Sequence, residues 1–239
     1  MRVALCLTLL TTSALCLNSS AHALDEQAAG DTDSGWSSDF TAEKDALTSS
    51  GRNPYFILEA GHQLVLEDGG ERLTITVLDK TKTVDGVETR VVEERETKDG
   101  VLTEVSRNYI ALGKRTNSVY YFGEDVDKYK DGKLAKHSES WLAGTDKARF
   151  GLLMPGLPLL NARFYQEVAP ERALDRAEIV GLHETIKTPA GTFTNCLKIK
   201  ETNPLENGAV EYKYYAPGIG LVQDEDLQLV KHGGAPARK

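Results

Sequence analysis

The stretch ERLTITVLDKTKTVDGVETRVVEERET at residues 71–97 recurs, with one inserted residue, as DRAEIVGLHETIKTPAGTFTNCLKIKET at residues 175–202. Over residues 72–97 the two copies share ten identities at 26 aligned positions, whereas roughly two would be expected from ordinary residue usage. A repeat of this length indicates one supersecondary module that is used twice in the chain.

Apolar and polar residues alternate through the first copy and beyond it. Leu73, Ile75 and Val77 alternate with threonines, and Val105 and Tyr109 alternate with polar residues. A period of two is typical of half-buried antiparallel strands. Turn-forming dipeptides separate the runs at hairpin spacing: Asp85-Gly86, Asp99-Gly100, Asp131-Gly132, Asn207-Gly208 and Pro217-Gly218.

The pattern therefore predicts an all-β fold without clear amphipathic helices. The two tandem repeats, of about five strands each, span about residues 62–122 and 162–223. A closing strand at residues 226–230 is predicted to pair with an edge. Such a duplicated meander forms either a curved antiparallel sheet or a half-open barrel.

The domain organisation follows from composition. Residues 1–23 read as a secretory signal peptide with cleavage after Ala23, although a lipoprotein acylated at Cys16 is an alternative. An acidic flexible linker is expected at residues 24–53. A single β domain follows at residues 54–230, with an insert at about 123–161, and residues 231–239 form a tail.

Charge and cysteine usage narrow the class of protein. The net charge of −8 argues against a nucleic-acid partner and against an anionic membrane surface. Cys196 is the only cysteine beyond the predicted leader, so no internal disulfide is expected. No later segment has the roughly 20 apolar residues of a transmembrane helix. We expect a soluble periplasmic or secreted protein.

No catalytic residue, metal site or cofactor is predicted. The chain lacks a nucleophile elbow, and Cys196 lies within a strand pattern, where a buried thiol is the default. Histidines are scattered, and the run DVDKYKDG at residues 125–132 lacks the sixth-position glycine of a calcium loop. The charged residues 93–96 are interpreted as a solvated face.

The uncharged stretch FGLLMPGLPLL at residues 150–160 needs an explanation, because surface loops are usually polar. It is either a strap packed on the core, a lid over a lipophilic cavity, or a docking surface for a partner. As ligand or partner contacts the sequence predicts Trp141, Phe150, Leu152, Leu153 and Met154.

Three blocks carry a resemblance to known proteins. Residues 189–222, PAGTFTNCLKIKETNPLENGAVEYKYYAPGIGLV, together with residues 117–134 and 151–178, resemble a group of exported bacterial proteins of unassigned function. The first block is also similar to periplasmic lipoprotein carriers of the LolA type. That resemblance implies a curved antiparallel sheet around a lipophilic guest, and it transfers no catalytic residue. The duplication and the lack of clear helices depart from the carrier pattern.

Together these observations favour an exported non-enzymatic binding protein for a lipophilic ligand or an envelope protein partner. One alternative is a structural or interaction protein of the cell envelope without a small ligand. A second, less favoured alternative is an enzyme, most plausibly a hydrolase.

Overall fold

The computed structural model describes residues 35–42, 44–138, 140–206 and 208–234. The predicted signal peptide and the first part of the predicted linker, up to residue 34, lie outside the described residues. Within the described ranges the chain is built of β-strands and one short 3-10 turn at Lys44–Ala46, and no α-helix is present there. None of the described segments is a helix long and apolar enough to span a membrane.

In chain order the strands are β1 Leu47–Thr48, β2 Gly51–Asn53, β3 Phe56–Leu58, β4 His62–Asp68, β5 Glu71–Val84, β6 Val87–Lys98, β7 Val101–Gly113, β8 Val119–Lys130, β9 Lys133–His137, β10 Trp141–Leu142, β11 Arg149–Met154, β12 Arg163–Tyr165, β13 Glu167–Val168, β14 Arg176–Thr188, β15 Gly191–Thr202, β16 Val210–Ala216, β17 Gly220–Asp224 and β18 Leu227–Gly234.

The main sheet is antiparallel and curls almost completely round on itself. Its order is β12, β14 to β18, β4 to β8, β11 and β13, while β2 and β3 form a separate hairpin. The two end strands, β12 and β13, are consecutive in the chain and separated only by Gln166. The result is a nearly closed barrel with one seam, as the sequence predicted.

Residues before the barrel cover one edge of the seam. The Ser37 N–H donates to the Arg163 carbonyl oxygen at 3.1 Å, and the Tyr165 N–H donates to the Ser37 carbonyl oxygen at 2.8 Å. These bonds occupy the free backbone groups of β12, which would otherwise form an open edge.

The duplicated stretch forms the same hairpin twice. β5 pairs with β6 through the Asp85-Gly86 turn, and β14 pairs with β15 in the second copy. Asp85 has a φ of 49° and Gly86 of 77°, the left-handed conformations that a two-residue hairpin turn requires. The first hairpin lies within the run of neighbouring strands β4 to β8, and the second hairpin begins the run β14 to β18.

β18 joins the two halves. It pairs with β4 over residues 228–234, placing Leu229 opposite Leu66, and both leucines are fully buried. The predicted closing strand is therefore an inner strand of the sheet, with neighbours on both sides. It extends to Gly234, so the predicted tail begins later than residue 231.

The predicted linker also ends earlier than residue 53. Residues 44–53 contain the 3-10 turn and strands β1 and β2, and β1 pairs with the end of β7. Leu47 is buried, and Asn53 donates from Nδ2 to the carbonyl oxygens of Asn117 at 2.8 Å and Pro155 at 3.0 Å. Buried contacts of this kind give the segment a fixed place on the barrel despite its polar composition.

The uncharged stretch at residues 150–160 divides into two parts. Its first part belongs to β11, which pairs with β8 and β13 up to Met154. Beyond Pro155 the chain leaves the sheet, and Leu157, Leu159 and Leu160 are 75%, 60% and 53% exposed.

Candidate functional site

The interior of the barrel contains a cavity of about 380 Å³. One wall, formed mainly by β3 to β5, is apolar. Its residues include Phe56, Ile57, Leu64, Leu73, Ile75 and Val77. Leu153 and Leu221 add further apolar surface, so a ligand inside the barrel would contact aliphatic and aromatic side chains along this wall.

Much of the remaining lining is acidic. Among the described residues, eight carboxylates line the cavity, and Lys213 is the only lysine or arginine in the lining. The carboxylates are Glu94, Glu96, Glu104, Glu124, Glu167, Asp175, Glu201 and Asp224. We refer to these eight residues as the acidic wall.

Strand geometry explains how the acidic wall arises. Successive side chains of a strand point to opposite faces of the sheet, so every second residue enters the barrel. On β6 the inward series is Val92, Glu94 and Glu96, and Glu94 lies opposite Ser106 of β7. The intervening Glu93 instead lies near Arg107, with 3.6 Å between carboxylate and guanidinium.

Lys213 neutralises only part of the acidic wall. Its Nζ lies 2.8 Å from a carboxylate oxygen of Glu201 and 3.8 Å from one of Asp224. Glu201 also accepts a hydrogen bond from Gln166 Nε2 at 2.9 Å. Burial by itself lowers the pKa of Lys213, but Glu201, Asp224 and Tyr215 raise it by more, so the amine stays charged.

Glu94 lies inside the barrel without a bonded partner. No described side chain or backbone group donates a hydrogen bond to its carboxylate, and no cation is paired with it in the described ranges. Burial raises the pKa of Glu94 to about 7, nearby Lys213 lowers it in part, and Asp224, Glu96 and Glu104 raise it further. The carboxyl group is therefore close to half ionised near neutral pH.

A second group of carboxyls lies near the seam. The backbone N–H groups of Gln166 and Glu167 both donate to the Asp175 carbonyl oxygen, at 2.7 and 3.1 Å, which holds Asp175 beside Glu167. Burial raises the pKa of Glu167 and of Asp175, and it raises that of Glu124 to about 8. The charges of Glu124 and Asp175 raise the pKa of Glu167 further, because nearby like charges disfavour ionisation.

The acidic wall continues towards the surface at the loop between β15 and β16. A smaller cavity of about 170 Å³ shares Asp175, Glu201 and Lys213 with the main one. It is also lined by Glu206 and Glu211, which are both exposed. The acidic side of the interior is thus adjacent to solvent at this loop.

Of the five residues that the sequence predicted as contacts, Leu153 lines the cavity. Trp141 is 3% exposed and packs edge-on against Tyr121, with ring centroids 5.5 Å apart. Phe150 stacks on Phe122 at 5.0 Å. Met154 is buried in the core, and Leu152 pairs with Tyr120 of β8. These four residues lie in or against the wall that surrounds the cavity.

The residues that sequence reasoning missed are the glutamates of β6 and β7. The run at residues 93–96 was interpreted as a solvated face. Arg95 and Glu96 are exposed, but Glu94 and Glu96 also line the cavity. A signal was available, because residues 104, 106 and 108 form one polar face. The period of two identifies such a face without saying whether it points outward.

Familiar catalytic and metal arrangements are not formed by the described residues. No three of their His, Cys, Asp and Glu side chains are grouped so as to hold a metal ion. Cys196 is a free, fully buried thiol whose pKa burial raises. A thiol in this state is a poor nucleophile.

One comparison with known proteins gives a match, and it covers part of the second half of the barrel. A family model described as DUF3108-like matches residues 172–231. The match contains strands β14 to β17, most of β18, and the cavity residues Asp175, Glu201, Lys213 and Asp224. Neither a curated protein nor a solved structure matches the chain.

Proposed function

We propose that this protein is an exported, non-enzymatic binding protein that holds a small lipophilic ligand inside its barrel. The single observation that carries the proposal is the cavity of about 380 Å³ with its apolar wall. Its volume lies within the roughly 300–1,000 Å³ of small-molecule sites. The resemblance to LolA-type carriers inferred from residues 189–222 supports the same kind of function, and the signal peptide predicted at residues 1–23 supports export.

The experiment is to identify what the protein carries. The chain is purified from an exporting bacterial host and its mass is measured under native and denaturing conditions. A ligand appears as an added mass that is lost on denaturation, and it is then identified in an organic extract. A protein without added mass, which also fails to take up any of a panel of small amphiphiles, would contradict the proposal.

A cavity-filling substitution provides the matched variant. Ile75 lines the cavity, whereas Thr74 on the same strand faces the other side of the sheet. Ile75→Trp is expected to abolish the added mass while the protein remains folded, because the larger ring occupies ligand space. Thr74→Trp is the control and should retain the ligand. Equal ligand content in both variants would place the ligand elsewhere.

A protein partner is a second candidate, favoured by the three exposed leucines at positions 157, 159 and 160. Adjacent exposed apolar side chains mark interaction surfaces in many proteins. Replacing all three with serine should remove specific crosslinks to envelope proteins without changing the fold. Unchanged crosslinks would exclude this surface as the contact.

A further inference from the structure

The acidic wall holds many more negative groups than the protein itself neutralises. Lys213 is paired with Glu201 and Asp224, and Lys128 with Glu104. The other five carboxylates of the acidic wall have no ion pair in the described ranges. A buried carboxylate without a counter-charge is expensive, and the cost is relieved by a proton or by a cation. A positively charged group that enters the cavity would therefore be stabilised by the acidic wall.

One carboxylate of the acidic wall lacks a bonded partner in the described ranges. The carboxylate of Glu94 is surrounded by the barrel and accepts no hydrogen bond, although it is accessible from the cavity. Buried polar groups are normally satisfied, so unbonded ones at a cavity point to a missing ligand.

The acidic wall is in the same cavity as the apolar wall. Ile75 of β5 lies directly opposite Glu94 of β6, so one ligand would contact both kinds of surface. A purely apolar ligand would leave the carboxylates unpaired, and a bare metal ion would leave the apolar wall unused. The geometry fits a molecule with a cationic end and an apolar body.

We infer that the cavity binds a small amphipathic cation, with an ammonium or guanidinium group among Glu94, Glu124 and their neighbours and an aliphatic body along β3 to β5. This inference rests on the proposed function, since it assigns the ligand class of the same cavity. The head group replaces protons that the acidic wall would otherwise hold. Binding therefore releases protons to solvent at neutral pH.

The groups that face Glu94 determine the direction of the pH effect. They are Glu96 on its own strand, Glu104 on β7, Glu124 on β8, and Lys213 and Asp224 across the barrel. Lys213 stays charged throughout, so the change with pH comes from the carboxyls. As pH rises from 6 to 8 more of them ionise, and the affinity for a cation should increase up to roughly tenfold per pH unit for each proton released.

The test uses three probes with the same tail and different heads: n-octylamine, n-octanol and n-octanoate. Titration calorimetry with the delipidated full chain should give the order amine, alcohol, carboxylate, with at least a tenfold preference for the amine over the alcohol at pH 8. Repeating the amine titration in two buffers of different ionisation enthalpy should show proton release.

Two matched variants separate the acidic wall from the rest of the protein. Glu94→Gln and Glu124→Gln should each weaken amine binding by about tenfold and change octanol binding less than threefold. Glu93→Gln, on the outer face of the same strand, should leave both affinities unchanged. Agreement between the two inner variants guards against an individual folding defect.

The outcomes distinguish this inference from the proposed function. If octanol binds as tightly as octylamine, the cation inference is wrong while the lipophilic cavity remains supported. If none of the three probes binds and no ligand co-purifies, both are wrong. If Ca²⁺ or Mg²⁺ alone displaces octylamine at submillimolar concentration, the acidic wall is a metal site and the inference fails.

Discussion

Replacing Glu94 with glutamine should stabilise the protein, and the gain should depend on pH. The glutamine side chain has nearly the shape of a protonated glutamate but cannot ionise. Burial raises the pKa of Glu94 from 4.5 to about 7, so the folded protein binds this proton more tightly than the unfolded chain does. The contribution of protonated Glu94 to the free energy of unfolding is therefore fully present below about pH 4.5, and it is lost as the pH rises towards 7.

The size of the effect follows from that change in proton affinity. Each tenfold change is worth about 1.4 kcal/mol, so ionising Glu94 in the folded state costs up to about 3 kcal/mol. At pH 5, where the folded protein still holds the proton, wild type and Glu94→Gln should differ by less than about 1 kcal/mol. At pH 9 the variant should be more stable than the wild type by roughly 2–3 kcal/mol. At this pH Glu94 of the folded wild type is ionised in an unfavourable environment, whereas glutamine stays neutral.

The assay is urea denaturation of ligand-free protein at pH 5, 7 and 9, followed by tryptophan fluorescence. Glu93→Gln is the control, because Glu93 faces outward near Arg107 and its loss should give no gain at any pH. An advantage of Glu94→Gln that is the same at pH 5 and pH 9, or absent at both, would refute the reasoning. It would mean that this carboxylate ionises in the folded protein as easily as in water.

Three further predictions test the core and the acidic wall. Lys213→Met should destabilise the protein at pH 8 by roughly 3–5 kcal/mol, because it leaves Glu201 and Asp224 unpaired. Urea denaturation should show a smaller loss of stability at pH 5, and an equal loss at both pH values contradicts the prediction. Leu229→Ala should lower the free energy of unfolding by about 2–5 kcal/mol, because this fully buried residue joins the two halves. Thermal unfolding measures the change, with Val230→Ala as the control. Cys196 should react with a thiol reagent only as fast as the protein unfolds, and rapid labelling in buffer would show that it is accessible.

Much of the fold could be predicted from local sequence. Hairpins were predicted at Asp85-Gly86, Asp99-Gly100 and Asp131-Gly132, and each of these turns connects two paired strands. Glycine and aspartate allow the backbone conformation of tight turns, so such signals act within a few residues. The repeat extended that local information, since the β5–β6 hairpin has its counterpart in β14–β15.

The role of residues 44–53 was not predictable in the same way. Nothing in their composition indicates strands, and β1 and β2 are two and three residues long. Short strands form because a neighbour supplies the pairing, as β7 does for Leu47 and Thr48. That neighbour lies far along the chain, with Leu47 opposite Gly113, beyond the reach of any local pattern.

The site was the least predictable part. An alternating strand has two faces, and the apolar one is normally assigned to the interior. On β6 and β7 that assignment fails, because Glu94, Glu96 and Glu104 point into the cavity while Val105 on the other face is fully buried. Near Glu94 and Val105 neither face of these strands is exposed to solvent, and only the closure of the barrel shows which face surrounds an open space.

The fold does not require the acidic residues of the acidic wall. The same barrel is lined by leucine, isoleucine and valine on β4 and β5, so aliphatic residues fit its interior. Enclosed carboxylates reduce stability where aliphatic residues would increase it, and perturbed groups of this kind concentrate at functional sites. A ligand that neutralises them would stabilise the folded state in proportion to the logarithm of its concentration above Kd. An octylamine-dependent rise in Tm that is smaller in Glu94→Gln at the same octylamine concentration would therefore connect the electrostatic cost of the acidic wall with ligand binding.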